Sequence, residues 1–132
     1  AGQAQSTTLD LSELRGRVVY VDFWASWCGP CKQSFPYMAN LTRQYSSRDF
    51  AVVTINVDRQ RGQADAFLRK MGSSLPVVYD TSGDLARKYK VKDMPTSFLI
   101  DRNGRIRFTH KGFHPKDFAT YKAHIDQLIH ER

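Results

Sequence analysis

Cysteine is scarce in this chain, which has two cysteines among its 132 residues, and these two, Cys28 and Cys31, are neighbours separated by two residues. A disulfide between them would close a very small loop and add little stability, which excludes a secreted scaffold held together by disulfides. The chain also lacks an apolar run of the roughly 18 residues that a membrane-spanning helix needs. Because stapling does not explain the cysteine pair, we interpret it as reactive.

Acidic residues are fewer than basic ones, with 13 Asp and Glu against 20 Lys and Arg, and the formal net charge is +7. Such a charge could attract an anionic partner such as nucleic acid. The basic residues are scattered along the chain, however, and the densest group, at 87–92, is not interleaved with a platform of aromatic side chains. We therefore expect a solvated basic surface, no nucleic-acid or membrane-surface partner, and a monomer.

The length fits one domain, and the 41% of apolar residues is typical of a globular protein. We predict a flexible lead-in over residues 1–8 and a single domain over 9–132. The small, polar start at 1–6 is typical of what remains after an export signal or a membrane anchor has been removed, and a chain cut at a domain boundary would begin in the same way.

Apolar patterning predicts alternating strands and helices. The order is β-α-β-α followed by β-β-α, which indicates an α/β fold with a central mixed sheet and helices on both faces. A proline, Pro36, lies inside the first helix and should kink it. The predicted elements are strands over 18–25, 50–57 and 77–79, helices over 31–45, 60–71, around 85–89 and from Pro115, and a hairpin of strands 97–100 and 105–109.

The segment Cys28-Gly29-Pro30-Cys31 directly follows the first buried strand and opens a helix. A C-x-x-C motif in this setting is a redox signature. The free amides and positive dipole end of the helix would stabilise a thiolate at Cys28, while Cys31, one turn in, could attack the resulting mixed disulfide. We therefore predict Cys28 as the exposed nucleophile and Cys31 as the resolving thiol.

Half of a zinc site is the alternative interpretation of the cysteine pair, and His110 and His114 have the H-x3-H spacing of zinc ligands. These histidines lie far beyond the distance along the chain that zinc fingers use, and Pro30 suits the start of a helix better. We expect no metal.

An acidic residue, Asp22, interrupts the apolar run 18–25. Burial should raise its pKa, because a charge in such a strand is costly unless it is paired. A carboxylate of this kind could accept the proton of Cys31 during the second attack. The alternative is a structural Asp that only receives backbone hydrogen bonds.

Residues 21–32, VDFWASWCGPCK, resemble the active-site segment of thioredoxins almost residue for residue. Three features are similar to the exported TlpA/ResA group of that superfamily. These are the FPYMAN block at 35–40, the MPTSFLID block at 94–101, and a long interval between Cys31 and Pro95, which implies an inserted strand and helix within 60–79.

The resemblance implies a thioredoxin fold and a protein-disulfide reductase that works by dithiol exchange. Its only cofactor would be the Cys28–Cys31 disulfide, which a membrane or soluble thiol reductant would reduce again after each cycle. The protein would be periplasmic or otherwise extracytoplasmic, and the full-length form could carry a membrane anchor. Pro95 matches the cis-proline of the family, which leaves the backbone of Met94 free to pair with substrate. The substrate-binding residues would be Trp27, Gly29, Pro30, Met94 and Pro95.

The sequence departs from the ResA-like pattern at Ser34, where that group usually has a Glu, so the acid–base role should fall to Asp22 alone. Two other functions remain as alternatives. A peroxidase would need a Pro-x-x-x-Thr-x-x-Cys segment, which is missing, since Asp22, Phe23 and Ala25 stand where other residues would be required. A redox-inert or metal-handling interaction module would show buried, unreactive thiols.

Overall fold

A six-stranded mixed sheet organises the chain, with strand order β1-β4-β3-β2-β5-β6 in the computed structural model, which describes residues 5–6 and 11–131. The strands are β1 Gln5–Ser6, β2 Val18–Trp24, β3 Phe50–Asn56, β4 Val77–Tyr79, β5 Thr96–Ile100 and β6 Ile106–Lys111. The helices are α1 Cys31–Gln44, α2 Arg61–Met71, α3 Asp84–Lys88 and α4 Phe118–His130, with short 3-10 turns at Ser12–Leu14 and Pro115–Asp117.

The central strands are β2 and β3, which pair in parallel over their whole length. Every residue of β2 is buried, as expected for an apolar, β-branched strand that is covered on both faces. β5 pairs antiparallel with β2, and β6 pairs antiparallel with β5, so the predicted hairpin around residues 101–104 is confirmed. The α/β mixed sheet and the thioredoxin-type order of elements are confirmed as well.

Helices cover both faces of the sheet, as predicted. On one face, buried residues of α1, α2 and α4 form a core with Val18, Tyr20 and Trp24 of β2. On the other face, Val19, Val21 and Phe23 are packed against by residues of α3 and of the Ser12–Leu14 turn. The alternation along β2 therefore decides which side chains lie under α1, and Asp22 is one of them.

The inserted helix and strand expected within 60–79 correspond to α2 and β4, and Gly72 ends α2 in the left-handed conformation with φ 62°. α1 continues through Pro36 as a single helix. The last helix begins at Phe118 rather than at Pro115, because the residues from Pro115 to Asp117 form a separate 3-10 turn.

The predicted lead-in over residues 1–8 includes β1, a strand that the sequence analysis did not assign and that pairs in parallel with β4. The rest of that segment, and the boundary at residue 9, lie outside the described residues, so the division into lead-in and domain stays a prediction. None of the helices in the described part of the chain combines the length and the apolar character that crossing a membrane requires.

Candidate active site

The two cysteines lie at the junction between the carboxyl end of β2 and the start of α1. Their sulfurs are joined in a disulfide, with a Cα–Cα distance of 5.4 Å. The amide of Cys31 is directed at the Cys28 sulfur, with N and Sγ 3.3 Å apart. A helix amide in this position, at the positive end of the helix dipole, would stabilise a negative charge on that sulfur. The helix begins at Cys31 itself, so this residue is not one turn inside it as predicted.

Cys28 and Cys31 are both almost completely buried. Cys28 is 4% exposed and Cys31 is fully buried. The expectation of an exposed Cys28 is therefore wrong for the disulfide form. Residues beside it are open to solvent, since Trp27 is 68% exposed, and Gly29 and Pro30 are also exposed. A Cβ built on Gly29 would meet nothing within 4 Å, which leaves space above the turn.

The peptide bond between Met94 and Pro95 is cis, as the sequence predicts. Pairing of Phe23 with Thr96 sets this bond at the same end of the sheet as the cysteine turn. Two hydrogen bonds hold the loop, one from the Gly112 amide to the Pro95 carbonyl at 2.8 Å and one from the Thr96 hydroxyl to the Asp93 carbonyl at 2.7 Å. Within residues 5–6 and 11–131, no hydrogen bond occupies the amide or the carbonyl of Met94.

Asp22 is buried on the α1 face of the sheet, and its Oδ2 atom has no hydrogen-bond partner. Removal from water raises the pKa of this carboxyl well above its ordinary value. The predicted direction of the shift is confirmed. Ser34, which replaces the Glu of the ResA-like pattern, is buried, and its hydroxyl donates to the Cys31 carbonyl at 3.1 Å, so it offers no carboxyl for proton transfer. The role of Asp22 as a base stays a prediction.

Sequence reasoning missed a polar cluster that holds the turn before the cysteines. Asp58, just after β3, accepts hydrogen bonds from the Ser26 amide and the Ser26 hydroxyl, both at 2.8 Å. The side chain of Asn56 donates to the same carboxylate at 2.8 Å. Polar residues directly after a buried parallel strand were the available signal, because the carboxyl ends of neighbouring parallel strands meet at one edge of the sheet.

The histidines considered for zinc have other contacts. His110 Nε2 lies 2.9 Å from His124 Nδ1 on α4. In the part of the chain that the structure describes, no group of three or more His, Cys, Asp or Glu side chains is arranged to hold a metal ion. The expectation that the site works without a metal stays a prediction.

Comparison with known proteins gives a consistent result. The Redoxin family matches residues 2–125. The thiol-disulfide oxidoreductase ResA of Bacillus subtilis is 38% identical over 98 residues, which are 74% of this chain and 55% of the relative. ResA of Oceanobacillus iheyensis is 35% identical over 104 residues, which are 79% of this chain and 54% of the relative. The chain thus spans about half the length of these two relatives.

Two solved structures extend the likeness to nearly the whole chain. A Chlorobium tepidum protein assigned as the thiol:disulfide interchange protein DsbE has a TM-score of 0.87 and 40% identity, and the match covers 96% of this chain and 97% of that one. The exposed lipoprotein thioredoxin Etrx1 of Streptococcus pneumoniae has a TM-score of 0.71 and 34% identity, covering 89% and 90%. Since the family match covers almost all of the chain and the fold agrees with it, the chain belongs to the Redoxin family and is related to the ResA thiol-disulfide oxidoreductases.

Proposed function

We propose that this chain is a thiol-disulfide oxidoreductase that reduces disulfides in proteins by dithiol exchange between Cys28 and Cys31. The observation that carries the proposal is the Cys31 amide directed at the Cys28 sulfur at the start of α1. It would favour the thiolate of Cys28 in the reduced protein, and the thiolate is the attacking form. The names of the ResA and DsbE relatives support the same reaction class.

The exchange proceeds in two attacks. The Cys28 thiolate attacks one sulfur of the substrate disulfide, so that a mixed disulfide forms and the other substrate sulfur leaves as a thiolate. Cys31 then attacks Cys28, the Cys28–substrate bond breaks, and the Cys28–Cys31 disulfide forms while the second substrate thiolate leaves. In the second attack the Cys31 thiol gives its proton to Asp22, whose raised pKa makes it a stronger base than an ordinary carboxylate.

Substrate recognition would use the backbone of Met94 and the exposed residues of the turn. An extended substrate segment could form hydrogen bonds with the Met94 amide and carbonyl, which have no partner among the described residues. Trp27, Gly29 and Pro30 would border the same segment on the other side. These contacts would hold the substrate sulfur next to Cys28 without a deep pocket.

Trapping of the mixed disulfide tests the reaction. With a disulfide-containing protein such as insulin as substrate, Cys31→Ser should accumulate a covalent adduct, because the second attack is lost, whereas Cys28→Ser should form none. Both variants should fail to turn over substrate. Metal retained by unreactive thiols, with no adduct in Cys31→Ser, would instead favour the metal-handling alternative.

The direction of the reaction is tested by the redox potential. The Gly29-Pro30 pair resembles that of the reducing thioredoxins, so we expect a potential nearer to about −270 mV than to the roughly −120 mV of strong oxidants. Equilibration of the protein with defined glutathione ratios measures it. A potential more oxidising than about −200 mV would contradict the assignment as a reductase.

We also propose that the protein works outside the cytoplasm and is recharged there by a thiol reductant. The support is the relationship to an exposed lipoprotein thioredoxin of Streptococcus pneumoniae. Fractionation of cells that express the gene at its native locus tests the location. Recovery of the protein with cytoplasmic markers alone would contradict it.

A further inference from the structure

Three polar side chains form a row across the α1 face of the sheet. Asp22 of β2 lies directly opposite Ser97 of β5, and Ser97 lies directly opposite His110 of β6. Residues opposite one another in antiparallel strands point to the same face, with Cβ atoms about 4.5–5.5 Å apart. All three residues are buried, on the sheet face that carries the core under α1 and α4.

The row continues to the protein surface through α4. His110 Nε2 lies within hydrogen-bond distance of His124 Nδ1, at 2.9 Å, and His124 is only half-buried. The His124 ring stacks on Phe108 at 3.8 Å between centroids, which fixes its orientation. At the inner end, Tyr20 lies near Ser97, and burial together with the neighbouring Asp22 charge raises the pKa of Tyr20.

Two atoms in this row are buried without a hydrogen-bond partner, namely Asp22 Oδ2 and His110 Nδ1. Burial of unpaired polar atoms costs stability, so a buried row of this kind calls for an explanation other than stability. Both atoms can take or release a proton, and Ser97 stands between the two residues in the sheet register.

We propose that Ser97, His110 and His124 are positioning residues that carry the proton of Asp22 between the buried site and solvent. The inference rests on the proposed function, because Asp22 receives the Cys31 proton in the second attack. A carboxyl enclosed by apolar core must return that proton to water before the next cycle. The row provides a polar route to the surface.

The proton of Asp22 reaches water in successive transfers. Asp22 gives its proton to the Ser97 hydroxyl while that hydroxyl passes its own proton to His110 Nδ1, and His110 releases the proton on Nε2 to His124, which passes it to water. In the disulfide form, Asp22 Oδ2 and His110 Nδ1 have no hydrogen-bond partner among the described residues, so both side chains must turn toward Ser97 during the transfer. A neutral His110 can do this, since it accepts on one nitrogen while it donates from the other. Burial, with the neighbouring His124 charge, lowers the pKa of His110 to about 4 and keeps the ring neutral at pH 7. The titratable groups that face it are His124, Tyr121 and Asp117 from α4 and its start, and Asp22 lies two strands away on the same face of the sheet.

Rapid kinetics over successive turnovers test the proposal. The variants are His110→Phe, which keeps an aromatic ring, and Ser97→Ala, which removes one hydroxyl and keeps the test open if the first variant does not fold. In the first turnover we expect both attacks to keep their rates, because Asp22 is free to accept the Cys31 proton. In the following turnovers the second attack should slow by about 10-fold or more, because Asp22 still holds the proton of the previous cycle; this is a part of the roughly 10²–10⁴-fold that a positioned acid or base contributes. In an Asp22→Asn background, neither variant should slow the reaction further.

A spectroscopic measurement separates proton transfer from a structural effect. The infrared band of the protonated Asp22 carboxyl, assigned with Asp22→Asn, should decay more slowly after an upward pH jump in both variants than in the parent protein. His130→Phe is the matched control, because His130 is exposed near the end of the same helix, where its Nδ1 atom lies 2.6 Å from the Asp126 carbonyl. It should leave the band decay and both attacks unchanged.

Parent-like band decay in a folded His110→Phe or Ser97→Ala protein would overturn the proposal. So would slowing of similar size in the Asp22→Asn background, since that would indicate a general loss of structure. Neither result would affect the proposed function, which is tested separately by the covalent adduct of Cys31→Ser and by the redox potential.

Discussion

At the scale of single residues, the two cysteines differ through their surroundings. Both sulfurs belong to the same short turn, yet only the Cys28 sulfur faces the Cys31 amide. Cys31 is fully buried, and its carbonyl accepts the Ser34 hydroxyl. A thiolate is stabilised by helix amides and disfavoured by apolar surroundings, so the reduced protein should hold its negative charge on Cys28.

Alkylation of the reduced protein checks this difference. At neutral pH we expect iodoacetamide to modify Cys28 at least about 10-fold faster than Cys31, because the thiolate is the reactive form and the Cys31 amide favours the thiolate at Cys28. Peptide mass spectrometry over a time course measures the two rates. Cys31→Ser supplies the control rate for Cys28 alone, and equal rates at the two positions would contradict the assigned roles.

Which residues could be predicted from sequence depends on how local their signal is. The cysteine pair and Pro95 are marked by contiguous motifs, and Asp22 by its place in an apolar strand. Asp58 and His110 carry no such mark, because their partners are distant in sequence and are set by strand register. The low exposure of Cys28 also escaped prediction, since burial depends on the packing around the turn and not on the motif itself.

At the scale of elements, the turn between β2 and α1 is held by a partner from β3. Asp58 is buried, and its carboxylate accepts hydrogen bonds from the Ser26 backbone amide, the Ser26 hydroxyl and the Asn56 side-chain amide. The Val57 amide also donates to the Trp24 carbonyl at 2.9 Å, so the two strand ends are joined by backbone as well. The position of Cys28 therefore depends on two strands.

Removal of the carboxylate should loosen this turn. Asp58→Ala leaves several buried donors without an acceptor, and we expect the free energy of unfolding to fall by about 2–4 kcal/mol. Urea unfolding of the oxidised protein measures the change. Asp84→Ala is the control, because Asp84 is exposed and its ion pair with Arg87 lies in solvent, where such pairs contribute little to stability. Equal effects of the two variants would show that Asp58 does not hold the turn.

Element prediction succeeded where the apolar period was clear. β2, β3 and α2 have long, regular patterns, and their observed bounds lie close to the predicted ones. β1 has only two residues and gains its partner from β4, far along the chain, so no local pattern could reveal it. The 3-10 turn that begins at Pro115 shares the favourable start of a helix, which explains why it was assigned to α4.

At the scale of the whole molecule, the candidate site lies at the carboxyl ends of the parallel strands. Cys28 follows β2 and Asp58 follows β3, and the Met94–Pro95 bond precedes the antiparallel β5 at the same end. Ligand and catalytic sites of open α/β sheets occur at this end, because loops from neighbouring strands converge there. The strand order therefore brings together residues that are widely separated in sequence.

Two buried titratable residues of the sheet, Asp22 and His110, should also oppose each other in the pH dependence of stability. The pKa of Asp22 is raised in the folded protein, so folding favours its protonated form and stability falls as the pH rises above its ordinary value of 3.8. The pKa of His110 is lowered from 6.5 to about 4, so the unfolded chain binds the extra proton, and stability falls as the pH drops through that window. Between pH 6.5 and about 4, the contributions of Asp22 and His110 therefore change the stability in opposite directions.

Single substitutions should separate the two contributions. Asp22→Asn removes the first, so between pH 6.5 and about 4 the stability of this variant should fall more steeply with acid than that of the parent. At neutral pH it should be more stable than the parent by about 1–3 kcal/mol, the usual cost of a buried polar group without a partner. His110→Phe removes the second contribution, so its stability relative to the parent should rise as the pH falls through the same window. Urea unfolding of the oxidised proteins at a series of pH values measures both differences. A loss of stability in Asp22→Asn at neutral pH would show that the carboxylate has a stabilising partner and that its burial does not set its pKa.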